Sequence, residues 1–420
     1  MLSIPFLNAS CETYIKVGIE IVKRSAFVAG VGMTPFTKPG RSASYDEMGE
    51  QAARAAIEDA GIHYRDIQQA YASFVYADST AGQAALYGLG LSGIPIVNVN
   101  NNCASGSSAL FLARQAVESG AVECAIAVGF EQMVPGALGD QFSDRPAPMT
   151  RHANVMEVLQ GPATSAPNAA QYFGGAGAEY AETYGTDIKT FAQISVKARR
   201  HAARNPNAVF RDELSVEDVL SSPHVFGPLT RFQCCPPTCG GGAAIICSKE
   251  FARKNEIYHA VPIIAQSMHT DGPSALDNTS MIELIGAGMA RRAAHEVYEA
   301  SGVSPSDVDV VELHDCFTAN ELISYEALQL APTGGAEAFV LDAQNTHGGS
   351  VVVNPSGGLL SKGHPLGATG LAQCAELVWQ MRDQAGSRQV ENASRALQHN
   401  LGLGGACVVT LYGRAGELLS

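Results

Sequence analysis

Apolar and polar positions along the chain follow two rhythms, and each rhythm occurs twice. Short apolar runs of strand length alternate with stretches whose apolar residues recur at helical spacing. The first strand is predicted at Ala26–Val31. A helical pattern follows over AARAAIEDAGIHYRDI, Ala52–Ile67, closed by Gly61. Ser44 with Glu47 predicts a capping box at its start, where hydroxyl and carboxylate satisfy exposed N–H groups. Ala70–Tyr76 is rich in β-formers and reads as a strand. Ile96–Val99 is a strand leading to Cys103, Ser105–Glu118 is helical, and Cys124–Val128 is a strand. The second pass begins with AAHEVYEASGVSPSDV, Ala293–Val308, closed by Gly302, followed by a strand at Val308–Leu313. Val351–Val353 then leads to a glycine-rich turn carrying His364, Gly370–Met381 is helical, and Cys407–Leu411 ends this half as Cys124–Val128 ends the first. Gly240-Gly241-Gly242, ahead of the apolar run Ala243–Cys247, predicts a tight strand entry.

An internal repeat of strands alternating with helices implies an α/β fold with helices over both sheet faces. The expected architecture is two repeated α/β halves with mixed, mostly parallel sheets, plus an inserted loop domain. The expected boundaries are an extension at 1–24, a first half at 25–139 and 227–262, an insertion at 140–226 and a second half at 263–420. The insertion reads as less regular, with Pro146, Pro148, Pro162 and Pro167, and is expected to lie over the site. It holds the densest basic stretch, Lys189, Lys197, Arg199, Arg200, His201 and Arg204. That stretch reads either as a solvated helix face or as contacts to a nucleotide phosphate.

Composition narrows the function. With 46% apolar and 16% charged residues, the 420-residue chain has material for a large core. A net charge of −14 argues against nucleic acid, whose backbone demands a positive footprint. No run approaches the length of a membrane span. Ten cysteines in so long a chain do not suggest a disulfide scaffold, so a reducing compartment is expected. The segment Met1–Arg24 carries Lys16, Lys23 and Arg24 but also Glu12 and Glu20. A mitochondrial address is expected, with a peroxisome-like organelle or the cytoplasm as alternatives. The end, Leu418-Leu419-Ser420, is not the peroxisomal tripeptide.

Three places carry candidate chemistry. Cys103 follows three asparagines at the expected start of a helix, where free N–H groups and the helix dipole would stabilise a thiolate. A buried structural cysteine is the alternative, which the asparagine run and the strand–Cys–helix placement disfavour. His364, in Gly-His-Pro-Leu-Gly, occupies the corresponding turn of the second half and is the natural base for that thiol. His314-Asp315-Cys316-Phe317 follows an apolar strand, and such groups are costly to bury unless used or paired. Cys234, Cys235 and Cys239 lack two Cys-X-X-Cys units and a fourth ligand, so no metal is expected there.

Taken together, Asn101-Asn102-Cys103, His314–Phe317, the run Asn354–Gly370 and His399-Asn400-Leu401-Gly402-Leu-Gly-Gly405 resemble the thiolase superfamily, most closely its sterol-carrier-protein type. The resemblance runs from about Ala26 to the C-terminus, with four motifs in the family's order. It implies Cys103 as the acylated nucleophile and His364 as its base, with His314 and His364 polarising a thioester oxygen. It implies backbone N–H groups of Cys103 and Gly402 as a second oxyanion site. Where many thiolases keep a second cysteine, this chain has Asn400, and the resemblance assigns the acid/base role to Cys316. Asn400, Ser356, Gly357, Arg200 and Lys197 are expected to contact substrate. The expected ligands are 3-oxoacyl-CoA, acyl-CoA and coenzyme A as co-substrate, with no bound cofactor, acting in a homodimer. The rival readings are a decarboxylating ketoacyl synthase-like enzyme and a catalytically silent acyl-CoA- or lipid-binding protein.

Overall fold

The computed structural model describes residues 24–136, 139 and 142–419. The expected extension lies outside the described residues apart from Arg24, which pairs with Glu123 at 2.6 Å. Among the described residues twelve strands occur in the order β1 Ala26–Met33, β2 Gln69–Ser73, β3 Ile96–Val99, β4 Cys124–Glu131, β5 His224–Phe226, β6 Leu229–Thr230, β7 Gly240–Ser248, β8 Val261–His269, β9 Val310–Glu312, β10 Val352–Val353, β11 Ala396–Gly402 and β12 Ala406–Tyr412. The hairpin β5–β6 stands apart, and the other ten form one sheet in the order β10-β9-β11-β12-β8-β1-β7-β4-β2-β3.

Read outward from its middle, the sheet is two copies of one pattern. β1-β7-β4-β2-β3 on one side matches β8-β12-β11-β9-β10 on the other, joined where Phe27 and Val28 face Pro262 and Val261. In each copy the outer pairings are parallel and the inner ones antiparallel. The sheet is mixed, with four parallel pairings and five antiparallel, rather than mostly parallel. This pattern also corrects the expected strand equivalence. β4 corresponds to β11, and β12 corresponds to β7. Gln398, His399 and Asn400 interrupt the apolar run of β11, so periodicity alone passes over it. The expected division after residue 262 falls inside β8.

The helices Ser105–Glu118 and Thr369–Met381 pack on each other and against strands of both halves, forming a central layer. Their shared core includes Val28, Leu110, Ile246, Leu371, Leu377 and Tyr412. The helix Tyr45–Ala60 covers the outer face of the first half through Ala52, Ala53, Ala56 and Ala60, all buried. At its start Ser44 and Glu47 form the expected capping box, the Ser44 N–H donating to Glu47 Oε2 at 3.3 Å. The helix Ala287–Ser301 covers the second half and, like the first, ends on a glycine of positive φ, Gly61 and Gly302.

Two expectations change. Gly240–Gly242 lie within β7 rather than leading into it, because a Cβ on Gly241 would come within 2.4 Å of the Met48 carbonyl oxygen. Glycine lets the outer helix rest directly on the strand. The insertion is largely helical, at Thr150–Gln160, Asn168–Tyr184, Ile188–Ala202 and Val216–Ser221; its prolines sit between helices. Among the described residues, no helix is long and apolar enough to cross a membrane.

Candidate active site

Cys103 sits between β3 and the helix Ser105–Glu118, as its strand–turn–helix pattern requires. The asparagines brace this turn. Asn101 donates through its backbone N–H to Ser105 Oγ at 2.8 Å and through Nδ2 to Ser108 Oγ at 2.9 Å. Asn102 adopts φ 51°, a region asparagine tolerates, and its Nδ2 donates to the Leu403 carbonyl at 3.0 Å. Not every N–H group at the helix start is free. Ala104 and Ser105 donate theirs to the carbonyls of Asn101 and Asn102, at 3.1 and 3.0 Å. The amides that favour the thiolate are those of Cys103 itself and Leu403, and burial outweighs them, pushing the thiol up to about 12. Burial thus favours the neutral thiol at rest over the expected thiolate.

His364 and His314 close around it. One ring nitrogen from each and the Cys103 sulfur all lie within 4.8 Å of one another. The two rings meet edge to face, with centroids 5.1 Å apart and planes at 82°. Their hydrogen bonds assign opposite tautomers. The Thr369 hydroxyl donates to the Pro365 carbonyl at 2.9 Å, so its contact with His364 Nδ1 at 2.7 Å is a bond it accepts. His364 therefore carries its proton on Nδ1, leaving a bare Nε2 that is buried without a hydrogen-bond partner among the described residues. Asn400 Nδ2 donates to His314 Nδ1 at 3.1 Å, so His314 carries its proton on Nε2. Burial holds both rings neutral: it lowers His364 to about 3, with Lys362 adding to the effect, and lowers His314 well below the usual range. The trio thus offers one thiol, one free acceptor and one fixed donor. One sulfur and two nitrogens at this spacing also suit a soft divalent ion, whereas Cys234, Cys235 and Cys239 form no such cluster among the described residues.

Cys316 stands just outside this trio, buried, with its thiol pushed up by burial first and then by Cys235 and Cys103. Its carbonyl accepts from the Cys235 N–H at 2.9 Å, and Pro237 bridges His364, so the 234–239 segment packs along the site. Asp315 is structural: its carboxylate accepts the N–H groups of Leu359 and Leu360, at 2.7 and 3.3 Å, and anchors the segment leading to His364. Gly402 lies against the Cys103 turn, where a Cβ would come within 2.3 Å of the Asn101 carbonyl oxygen.

The remaining expected contacts divide. Asn400 belongs to the site, since its Nδ2 also reaches the Cys103 carbonyl at 3.2 Å. Ser356 is fully buried and gives its N–H and hydroxyl to Glu312, at 3.0 and 2.7 Å. Gly357 has φ 96° and packs on Ala202. Both are buried. Lys197 is buried in an ion pair with Glu321 and donates to the Val353 carbonyl, which corrects its reading as a phosphate contact. Lys197, Arg199 and His201 lie on the inner face of their amphipathic helix, while Arg200 is exposed. Thr369, which fixes the His364 tautomer, and Cys235 carry no signal that spacing alone could supply.

The family profile "Thiolase, N-terminal domain" matches residues 26–222, and "Thiolase C-terminal domain-like" matches residues 274–412. The chain belongs to the thiolase family. This thiolase is 52% identical over 390 residues to sterol carrier protein 2 of Rattus norvegicus, covering 92% of this chain and 71% of that protein. It is 35% identical over 402 residues to acetyl-CoA acetyltransferase of Methanothermobacter thermautotrophicus, covering 93% of this chain and 100% of the relative. Among solved structures, an Ltp2–ChsH2(DUF35) aldolase superposes with TM-score 0.80 at 24% identity, over 94% of this chain and 99% of that one. That likeness concerns the fold alone.

Proposed function

We propose that this thiolase cleaves 3-oxoacyl-CoA with coenzyme A to give acyl-CoA and acetyl-CoA, or runs the reverse condensation, through an acyl-cysteine. The observation that carries the reading is the pair of opposite histidine tautomers converging on one thiol. Cys103 Sγ attacks the keto carbon as its proton passes to His364 Nε2. The oxygen of the adduct is held by the N–H groups of Cys103 and Gly402. Collapse breaks the bond between C2 and C3 and leaves Cys103 acylated. The departing enolate oxygen meets two donors, His314 Nε2–H and the newly protonated His364. Cys316 gives its proton to the enolate carbon, forming acetyl-CoA. Its thiolate then takes the proton of incoming coenzyme A, whose sulfur attacks the acyl-cysteine. Cys103 leaves and recovers its proton from His364.

The high-lying Cys316 thiol supports this role, since it surrenders a proton only to a base as strong as an enolate. No bound cofactor is required by these steps. We place the reaction in lipid metabolism in the mitochondrion and the active form as a homodimer, in which β3, the outer edge strand with Val97 exposed, offers a pairing surface. The test is coenzyme A-dependent cleavage of 3-oxoacyl-CoAs of graded length by wild type and Cys103→Ala. Cleavage by wild type and none by Cys103→Ala, with an acyl adduct on Cys103 alone, is the expected result. Wild type that binds acyl-CoA without cleaving any chain length would instead favour the silent binding protein.

A further inference from the structure

Glu131, at the end of β4, is a carboxylate that none of these steps uses. It is 1% exposed. Its Oε1 accepts the Tyr76 N–H at 2.9 Å, and its Oε2 accepts the N–H groups of Val75 at 3.1 Å and Gly367 at 2.9 Å. Gly367 lies three residues after His364, in the turn supplied by the second half. The same glycine is held from its other side, because Ser73 Oγ donates to its carbonyl at 2.8 Å. The fit leaves no slack: a Cβ on Gly367 would come within 2.5 Å of the Phe130 carbonyl oxygen and 2.6 Å of that of Ser73. Glu131 is also in electrostatic contact with Cys103, whose thiol its charge helps push up. Burial raises the Glu131 carboxyl to about 7, against the three N–H bonds that stabilise its charge.

We propose that Glu131 is a positioning residue that latches the His364 turn of the second half onto the first half, which carries Cys103. The inference rests on Cys103 and His364 acting as nucleophile and base. A carboxylate suits the place because two oxygens must accept three N–H groups. Glutamine would offer one oxygen and turn an NH₂ toward either Tyr76 or the Val75–Gly367 pair, setting donor against donor. The turn would shift, and a base displaced by a fraction of an ångström loses rate steeply.

The test is Glu131→Gln, read by the rate at which p-nitrophenyl acetate acylates Cys103 and by steady-state cleavage. Removing the charge alone would ease ionisation of the thiol and speed acylation. Loss of positioning slows it. We expect acylation and kcat to fall by about 10- to 100-fold, with KM within about twofold. Acylation that is unchanged or faster overturns the proposal. Should Glu131→Gln not fold, Ser73→Ala removes the other half of the latch. A several-fold drop in its acylation rate with an unchanged melting temperature supports the proposal, and no drop overturns it. Wild type that is acylated by the activated ester but cleaves no 3-oxoacyl-CoA defeats the proposed function and leaves the latch readable.

Discussion

The side chains that matter most here are uncharged at rest. Cys103 is held near 12 and His364 near 3, so in the proposed reaction their proton transfer accompanies attack rather than preceding it. The alkylation rate of free Cys103 by iodoacetamide should therefore climb about tenfold per pH unit from pH 7 to about 10, following the thiolate fraction. A plateau already reached at pH 6–7 would reveal a preformed thiolate–imidazolium pair. Cys316 makes a second prediction. Asn400 cannot exchange a proton with carbon, and Cys316 is the thiol packed beside the trio in the second half. Cys316→Ala should still accept an acyl group on Cys103. Cleavage should slow by roughly 10²- to 10⁴-fold, as for a lost general acid/base. Exchange of acetyl-CoA methyl protons with deuterated solvent should slow in parallel; near wild-type exchange would point to His314.

Individual elements show where sequence reading succeeds and where it stops. β3 and the helices at Ser105 and Gly370 were legible because their apolar spacing and flanking residues agree. β11 was not, because its middle carries Gln398, His399 and Asn400, fully buried and bonded to groups distant in sequence, while His399 Nε2 and Asn400 Oδ1 have no hydrogen-bond partner among the described residues. Cys103, His314 and His364 stood out by their motifs. What each nitrogen does depends on Thr369 and Asn400, contacts that spacing cannot show. Lys197 misled for the same reason: its charge looked solvated until the helix face turned it toward Glu321. Arg24, the first described residue, forms a half-exposed ion pair, and β1 begins at Ala26. Exposed pairs contribute little. A chain starting at Ser25 should keep wild-type specific activity and melt within a few degrees of wild type, and a larger loss of either would make the extension part of the structure.

Across the whole molecule, buried titratable groups give stability a defined pH dependence. His201, His364 and His399 are lowered to about 3, 3 and 4, and His314 also lies well below the usual range, in every case chiefly by burial. Below about pH 6.5 the unfolded chain takes up protons at these four positions that the folded chain refuses, so stability falls as pH drops. Glu131 and Asp315 act with the opposite sign. Burial raises both, Glu131 to about 7, so the folded chain keeps protons that the unfolded chain has lost, and stability falls as pH rises through that range. Burial lowers His347 as well and raises Glu376, so between about pH 4.5 and 6.5 five histidines outnumber three carboxyls, and stability still rises with pH. Above about 6.5 the histidine contribution is complete and only the carboxyls continue to change. The melting temperature should therefore peak near pH 6.5, fall by several degrees toward pH 4.5 and decline more gently toward pH 8. His201→Gln, whose amide can replace the ring's bonds to the Asn354 carbonyl and Thr346 without titrating, should flatten the acid limb. A melting temperature independent of pH between 4.5 and 6.5 would mean that these histidines reach water in the folded chain.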